Sequence, residues 1–135
     1  FYWQDPLNQA VMAAWRAGIV VVAAAGNTGP HGMSIGVPGN VPYVITVGAM
    51  TDGYSPNDTR DDRLAAFSST GPTYEGFVKP EVVAPGGHML AWAPPHGRLM
   101  QQHARYVHPE APYFTMSGTS QSAAVVAGVA ALVLQ

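Results

Sequence analysis

The residue with the strongest chemical potential is Ser120, which follows Gly118 and Thr119 at the start of a long run of small and apolar residues. The run has no helix breaker apart from Gly128 and predicts a buried helix. A hydroxyl at a helix N-terminus lies in a positive field beside N–H groups that can receive an oxyanion. Serine and threonine at this place also cap the first helical turn. The stretch alone leaves two interpretations open: Ser117, Thr119 or Ser120 is a cap, or Ser120 is a nucleophile.

Two other patterns suggest ligand binding, and neither is specific. The glycine loop at 26–32, "GNTGPHG", follows an apolar run, but dinucleotide binding needs a helix to open directly on such a loop. Residues 30–42 contain Pro and Gly without helical periodicity, so we discard that interpretation. An acidic cluster lacks the spacing and turn glycine of a calcium-binding EF-hand, and we expect it to be a solvated loop: Asp52, Asp58, Asp61 and Asp62. We expect no metal and no cofactor.

The composition narrows the class of protein. A chain of 135 residues is long enough for one domain. Charged residues make up 10%, against roughly a quarter in ordinary soluble domains, so part of the surface is expected to be covered. The net charge of −2 and the scattered basic residues exclude nucleic acid and anionic membranes as partners. The chain has no cysteine, no apolar run of the ~20 residues that span a bilayer, and no signal-peptide pattern at its start.

The elements that must position Ser120 follow a simple alternation. Residues 5–18 predict a helix, with Asp5 as its cap and Pro6 in its first turn. Apolar, β-branched runs at 19–26, 43–50 and 79–87 predict strands buried on both faces, which is typical of a parallel sheet. Segments 27–42, 51–63 and 88–112 read as long loops. We therefore predict an α/β fold with a parallel sheet flanked by helices.

Four blocks occur in an order that carries more information than any of them alone. They are "AAAGN" at 23–27, "FSSTGP" at 67–72, "KPEVVAPG" at 79–86 and "SGTSQSAAVVAGVAAL" at 117–132. In sequence and succession they resemble the second half of the catalytic domain of a subtilisin-like serine protease (subtilase, peptidase S8 family). The resemblance implies that residues 1–135 form the C-terminal part of such a domain, a partial subtilisin-like fold. It also implies a secreted serine endopeptidase that hydrolyses polypeptides through an acyl-enzyme.

The resemblance assigns roles to seven residues. Ser120 is the nucleophile, and Asn27 donates its side-chain amide to the oxyanion. A substrate pocket is assigned to small residues, which leave room for a large apolar or aromatic side chain: Ala24, Ala25 and Gly26 in one wall, and Gly36 and Gly39 near its floor. The residue type of Asn27 has another explanation, because asparagine tolerates a left-handed turn after a strand.

The chain departs from the family pattern in two ways. After Ser120 the family usually has Met-Ala-Thr/Ala-Pro, whereas this chain has Gln121, Ser122, Ala123 and Ala124. The family's Asp-Thr/Ser-Gly and His-Gly-Thr-His blocks, which supply the acid and the base of the triad, do not occur in this sequence. A serine without a base is a poor nucleophile at neutral pH. We therefore expect either a complementary chain or segment that carries the Asp and His, or self-association.

Five histidines are alternative bases, all in predicted loops: His31, His88, His96, His103 and His108. We expect them to be solvated, with His88 and His108 the first candidates if one of them acts. Two further functions thus stay open. The chain could be a minimal serine hydrolase or esterase that uses a local histidine, or a catalytically inactive remnant that serves as a binding module.

Overall fold

A four-stranded sheet forms the centre of the protein in a computed structural model that describes residues 1–55 and 57–135. Its strands are β1 (Val22–Ala24), β2 (Ile45–Thr51), β3 (Arg63–Leu64) and β4 (Val82–Pro85). Strands β1 and β4 pair with β2 in parallel, and β3 pairs with β2 antiparallel. Because Val47 pairs with both Ala24 and Val82, β1 and β4 lie on opposite sides of β2. Pro56, in the predicted loop 51–63, lies outside the described residues.

Helix α1 (Pro6–Arg16) confirms the first predicted helix. The side chain of Asp5 accepts hydrogen bonds from the backbone N–H groups of Leu7 and Asn8, which caps the first turn. The helix packs against the sheet through Met12, in a buried cluster with Ala23 and two valines of the following segment. A 3₁₀ turn, Tyr2–Gln4, precedes the helix.

Helix α2 (Arg98–Gln102) is short, with five residues. The second long helix is α3 (Thr119–Val133), which begins one residue before the candidate nucleophile. Helix α3 packs across β1, β2 and β4. Successive side chains of a strand point to opposite faces. Ala23 faces α1, while Val22 lines a cavity together with Ala127 and Ala130 of α3. The helices therefore flank the sheet on both faces, as predicted.

Segment 88–112 is not the loop that the sequence predicts. Strands β5 (Met89–Trp92) and β6 (Tyr113–Met116) form an antiparallel pair, and α2 and a 3₁₀ turn (Ala104–Tyr106) lie between them. A small core of Ala93, Met100 and Phe114, with Val107 packed against it, holds this unit together. The two strands are separated by 20 residues of chain, so no short-range hairpin signal announces their pairing.

The predicted strand 19–26 is also shorter than expected. Ile19 and Val20 precede β1 and are 56% and 44% exposed, although their residue types are those of a strand buried on both faces. The β-branched residue types at these two positions thus did not predict their exposure correctly. Within that part, no helix has the length and apolar character needed to cross a membrane.

Candidate active site

Ser120 lies in the first turn of α3 and its side chain is exposed. The N-cap residue is Gly118, which offers no side chain, so the capping interpretation is wrong. Ser117 instead accepts a hydrogen bond from the backbone N–H of His88 at 2.9 Å. Among the described residues, the Oγ atom of Ser120 has no hydrogen-bond partner. A hydroxyl exposed at the positive end of a 15-residue helix is well placed to attack a bound carbonyl.

Asn27 contacts the start of α3, although it lies 92 residues before Thr119 in the chain. Its Oδ1 atom accepts hydrogen bonds from the backbone N–H of Thr119 at 2.9 Å and from the Thr119 hydroxyl at 3.0 Å. That hydroxyl in turn accepts from the backbone N–H of Gly26 at 3.1 Å. Asn27 is not among the described residues with positive φ, so the left-handed-turn interpretation is wrong.

The two bonds to Thr119 fix which way the amide of Asn27 points. Because Oδ1 accepts both, Nδ2 is the end of the amide that remains available as a donor. Among the described residues it has no hydrogen-bond partner. A Cβ atom built on Gly118 would lie 3.4 Å from Nδ2 of Asn27 and 3.9 Å from the backbone N of Ser120. Two N–H groups, on Nδ2 of Asn27 and on the backbone of Ser120, therefore lie near the space beside Gly118.

The turn that carries Asn27 is anchored by two serines of the "FSSTGP" block. The backbone N–H of Ser69 donates to the carbonyl of Gly26 at 2.9 Å, and its Oγ accepts from the N–H of Thr28 at 3.2 Å. Ser68 is buried and accepts from the N–H of Ala49 in β2 at 3.0 Å. These serines hold the turn against the sheet. The block was recognised in the sequence, but its positioning role was not.

The start of α3 is tied to β4 by a second set of contacts. The N–H of Gly118 donates to the carbonyl of Gly86 at 2.8 Å, and the hydroxyl of Ser122 donates to the carbonyl of Ala84 at 3.0 Å. Ser122 is fully buried. A Cβ on Gly86 would come within 2.9 Å of the Gly118 carbonyl, so only glycine permits this approach. Ser120 is thereby held between β1 and β4.

The structure brings together the five residues assigned to a substrate pocket. The backbone N–H of Gly36 donates to the carbonyl of Ala25 at 2.9 Å, and a Cβ on Gly39 would lie 2.9 Å from the Ala24 carbonyl. Ala24, Gly26 and Gly36 are half-buried, whereas Ala25 and Gly39 are buried and support the wall from behind. That these residues bind substrate stays a prediction.

None of the five histidines hydrogen-bonds Ser120 within the described part of the chain. His31, His88, His96 and His103 have exposed side chains. His108 is turned onto its own loop, where Nδ1 accepts from the N–H of Glu110 at 3.3 Å. The geometry therefore gives the local-histidine interpretation no support.

The acidic residues of the 51–63 segment form hydrogen bonds with other residues of the same segment. Asp58 forms a bidentate ion pair with Arg60, with N–O distances of 2.7 and 2.6 Å, and this contact holds the pKa of Asp58 below its usual range. Asp61 accepts a hydrogen bond from the hydroxyl of Ser55, and Asp52 from the N–H of Tyr54. Over residues 1–55 and 57–135, no three metal-binding side chains come together. Among the described residues, Asp52, Asp58 and Asp61 make no hydrogen bond to Ser120 or Asn27.

Comparison with known proteins decides the family. The model of the Subtilase family matches residues 2–135. The chain belongs to the subtilase family. Among curated subtilases, it is 46% identical over 134 residues to serine protease AprX of Bacillus subtilis (strain 168) and 38% identical over 130 residues to subtilisin DY of Bacillus licheniformis.

Solved structures of subtilases agree with this assignment. The self-cleaved protease domain of PatA is 32% identical with a TM-score of 0.62 over 93% of this chain, and sphericase is 28% identical with a TM-score of 0.65 over 92%. The chain covers 37% and 36% of those two structures, 29% of AprX and 37% of subtilisin DY. It therefore spans about a third of the subtilases that it matches, although the alignments cover 98% and 95% of the chain itself.

Proposed function

We propose that residues 1–135 are the C-terminal part of a subtilisin-like catalytic domain, and that the complete domain is a serine endopeptidase. The observation that carries this proposal is the pair of N–H donors, Nδ2 of Asn27 and the backbone of Ser120, beside Gly118. Family membership supports the reaction class. The substrate is a polypeptide, and the protein acts outside the cell, as the resemblance to subtilisins implies.

The proposed reaction uses Ser120 twice. Its Oγ attacks the carbonyl carbon of the scissile peptide bond while its proton passes to a base, and the carbonyl oxygen becomes an oxyanion held by the two donors. Collapse of this intermediate breaks the C–N bond, and the base returns the proton to the departing amine. Water then attacks the acyl-enzyme ester by the same route and releases Ser120. Donors that are already oriented lower the barrier to both steps.

The base is proposed to come from a complementary segment that carries the Asp and His blocks. Among the described residues, no histidine forms a hydrogen bond with Ser120. Such a segment has a surface to occupy, because α3 exposes apolar side chains near its C-terminal end. Leu132 and Val133 are 74% and 80% exposed. A helix that is apolar all round is normally buried.

The exposed face extends from α3 onto the sheet. An apolar cavity of about 320 Å³ is lined by Val20, Ile45, Val82 and valines of α3. Among the described residues, β1 is paired on one side alone, and its other edge presents unpaired backbone N–H and C=O groups. A segment that adds a strand at β1 and covers α3 would satisfy both features. It would also bring its histidine to the end of the sheet where Ser120 lies.

The oxyanion role is tested by Asn27→Asp in the chain combined with a subtilase N-terminal segment bearing the Asp and His blocks. Aspartate keeps the oxygen that Thr119 binds but replaces the Nδ2 donor. Loss of such a donor in a subtilisin is the standard example of a cost of about 100 to 1,000-fold in turnover. We expect a loss of that size in acylation by an activated ester, with the melting temperature retained.

Asn57→Asp, which adds the same charge at an exposed asparagine elsewhere, is the matched control and should leave acylation unchanged. Unchanged acylation in Asn27→Asp would refute the oxyanion role. Acylation by the isolated chain, abolished by Ser120→Ala, would favour the minimal-hydrolase alternative. Failure of the chain to acylate with or without the segment would favour the binding-module alternative.

A further inference from the structure

Another cavity lies in the unit formed by β5, β6 and α2, next to the segment that leads into α3. Its volume is about 410 Å³, and its lining includes side chains of mixed aromatic, aliphatic and imidazole character: His88, Leu99, His103, Tyr106, Phe114 and Met116. None of these residues belongs to the blocks that identify the family. Two of its walls come from the segment between β5 and β6.

Ser117 connects the lining of the cavity to the segment that carries the candidate nucleophile. This residue lines the cavity and precedes Ser120 by three positions, so their Cα atoms are at most about 10 Å apart. Ser117 contacts His88 on the β5 side, whereas Thr119 contacts Asn27 on the β1 side. The cavity and the predicted pocket of Ala24–Gly26 therefore lie on different sides of residues 117–120.

The walls of the cavity are held by a packed core. Phe114 is 5% exposed and belongs to the cluster with Ala93 and Met100, and the ring of Tyr106 packs edge-on against it at 6.0 Å between centroids. The rings of Phe114 and Tyr106 are thus packed against each other before a ligand binds, whereas Leu99, Met116 and the two histidines are exposed to it.

His88 stands at the edge of the cavity in a strained conformation. Its φ of 53° lies in the left-handed region, which is uncommon for a residue other than glycine. The N–H bond to Ser117 and a ring contact with Tyr54, at 4.8 Å between centroids, hold it there. Strain of this kind is found at ligand-binding positions more often than elsewhere.

We propose that this cavity binds an aromatic side chain of the substrate on the C-terminal side of the scissile bond, in the segment that leaves as the amine. The inference rests on the proposed function, because it takes Ser120 as the point of cleavage. Aromatic rings fit the apolar faces of Leu99, Phe114 and Met116, and the imidazoles and the Tyr106 hydroxyl can bind a polar ring substituent. No carboxylate lines the cavity within the described residues.

The test measures how an acyl-enzyme partitions between water and added amines, in the chain combined with the Asp- and His-bearing segment. An amine attacks the Ser120 ester, forms an amide bond and releases the Ser120 hydroxyl, so it occupies the leaving-segment side. We expect phenylalaninamide to capture the acyl group at least about tenfold more efficiently than glycinamide, as burial of a ring implies. Equal capture, or better capture by glutamic acid amide, would overturn the proposal.

Leu99→Trp fills the cavity and should abolish the preference of the acyl-enzyme for phenylalaninamide over glycinamide. Leu90→Trp is the matched control, because Leu90 is exposed on β5 and does not line the cavity. If no acyl-enzyme forms, the proposed function fails, but the cavity proposal can still be tested by measuring the binding of phenylalaninamide. Phenylalaninamide should then shift the NMR signals of Tyr106 and Phe114 in the chain and fail to do so in Leu99→Trp; absence of shifts in the parent chain would overturn the proposal.

Discussion

Replacing Thr119 by valine tests how Asn27, the proposed oxyanion donor, is positioned. The Thr119 side chain is buried, and its hydroxyl makes two contacts: it donates to Oδ1 of Asn27 at 3.0 Å and accepts from the N–H of Gly26 at 3.1 Å. Valine keeps the shape of the side chain and removes both hydrogen bonds. The backbone N–H of Thr119 still binds Asn27 at 2.9 Å, so the amide loses one of its two anchors.

Both stability and acylation should respond. The Gly26 N–H loses its acceptor in a partly buried place, which costs about 1–3 kcal/mol in the free energy of unfolding. Acylation of Ser120 should fall by about tenfold, less than the 100 to 1,000-fold that follows loss of an oxyanion donor, because Nδ2 of Asn27 is still present but less well oriented.

Urea denaturation measures the first effect, and stopped-flow acylation by an activated ester measures the second, in the chain combined with the Asp- and His-bearing segment. Thr119→Ser is the control, since it keeps the hydroxyl and should acylate within about twofold of the parent. Parent-like acylation in Thr119→Val, with the stability loss present, would show that the hydroxyl does not position Asn27.

Three further variants probe other parts of the site and surface. Gly118→Ala should abolish most acylation, because the added Cβ would lie 3.4 Å from Nδ2 of Asn27 and occupy the space of the oxyanion. The melting temperature should change little, because Gly118 has an extended backbone that alanine also adopts. Retained acylation would place the oxyanion elsewhere. Val133→Glu should prevent binding of the complementary segment, measured by calorimetry, and unchanged affinity would exclude α3 from that interface. Arg60 lowers the pKa of Asp58, so this pair stabilises the fold above the ordinary carboxyl pKa and stops doing so as the pH falls through the lowered value. Asp58→Asn should therefore lose less stability between pH 7 and pH 3 than the parent, and an equal loss would contradict the pairing.

The elements that follow from local chemistry were predictable from the sequence. Asp5 and Pro6 predict the start of α1, and the β-branched runs predict β1, β2 and β4. The block that contains Ser120 predicts the helix α3. Each of these signals is contained within a few residues, which is why sequence reasoning could detect it.

The contacts that build the site could not be read in the same way. Thr119 and Asn27 lie 92 residues apart in the chain, and their hydrogen bonds depend on the packing of α3 against β1. The pairing of β5 with β6 is likewise set by tertiary contacts around Phe114. The exposure of Val20 was unexpected because residue type alone does not determine which tertiary contacts a β-branched side chain makes.

The most direct test of the central claim is the rate at which a fluorophosphonate labels Ser120, with and without the segment that carries the Asp and His blocks. If Ser120 is a nucleophile that lacks its base here, the segment should raise the labelling rate by orders of magnitude, and Ser120→Ala should abolish labelling. The contradictory result is a monomeric chain that binds no such segment and already labels at Ser120 at a rate that titrates with a pKa of about 6 to 7, as a histidine would.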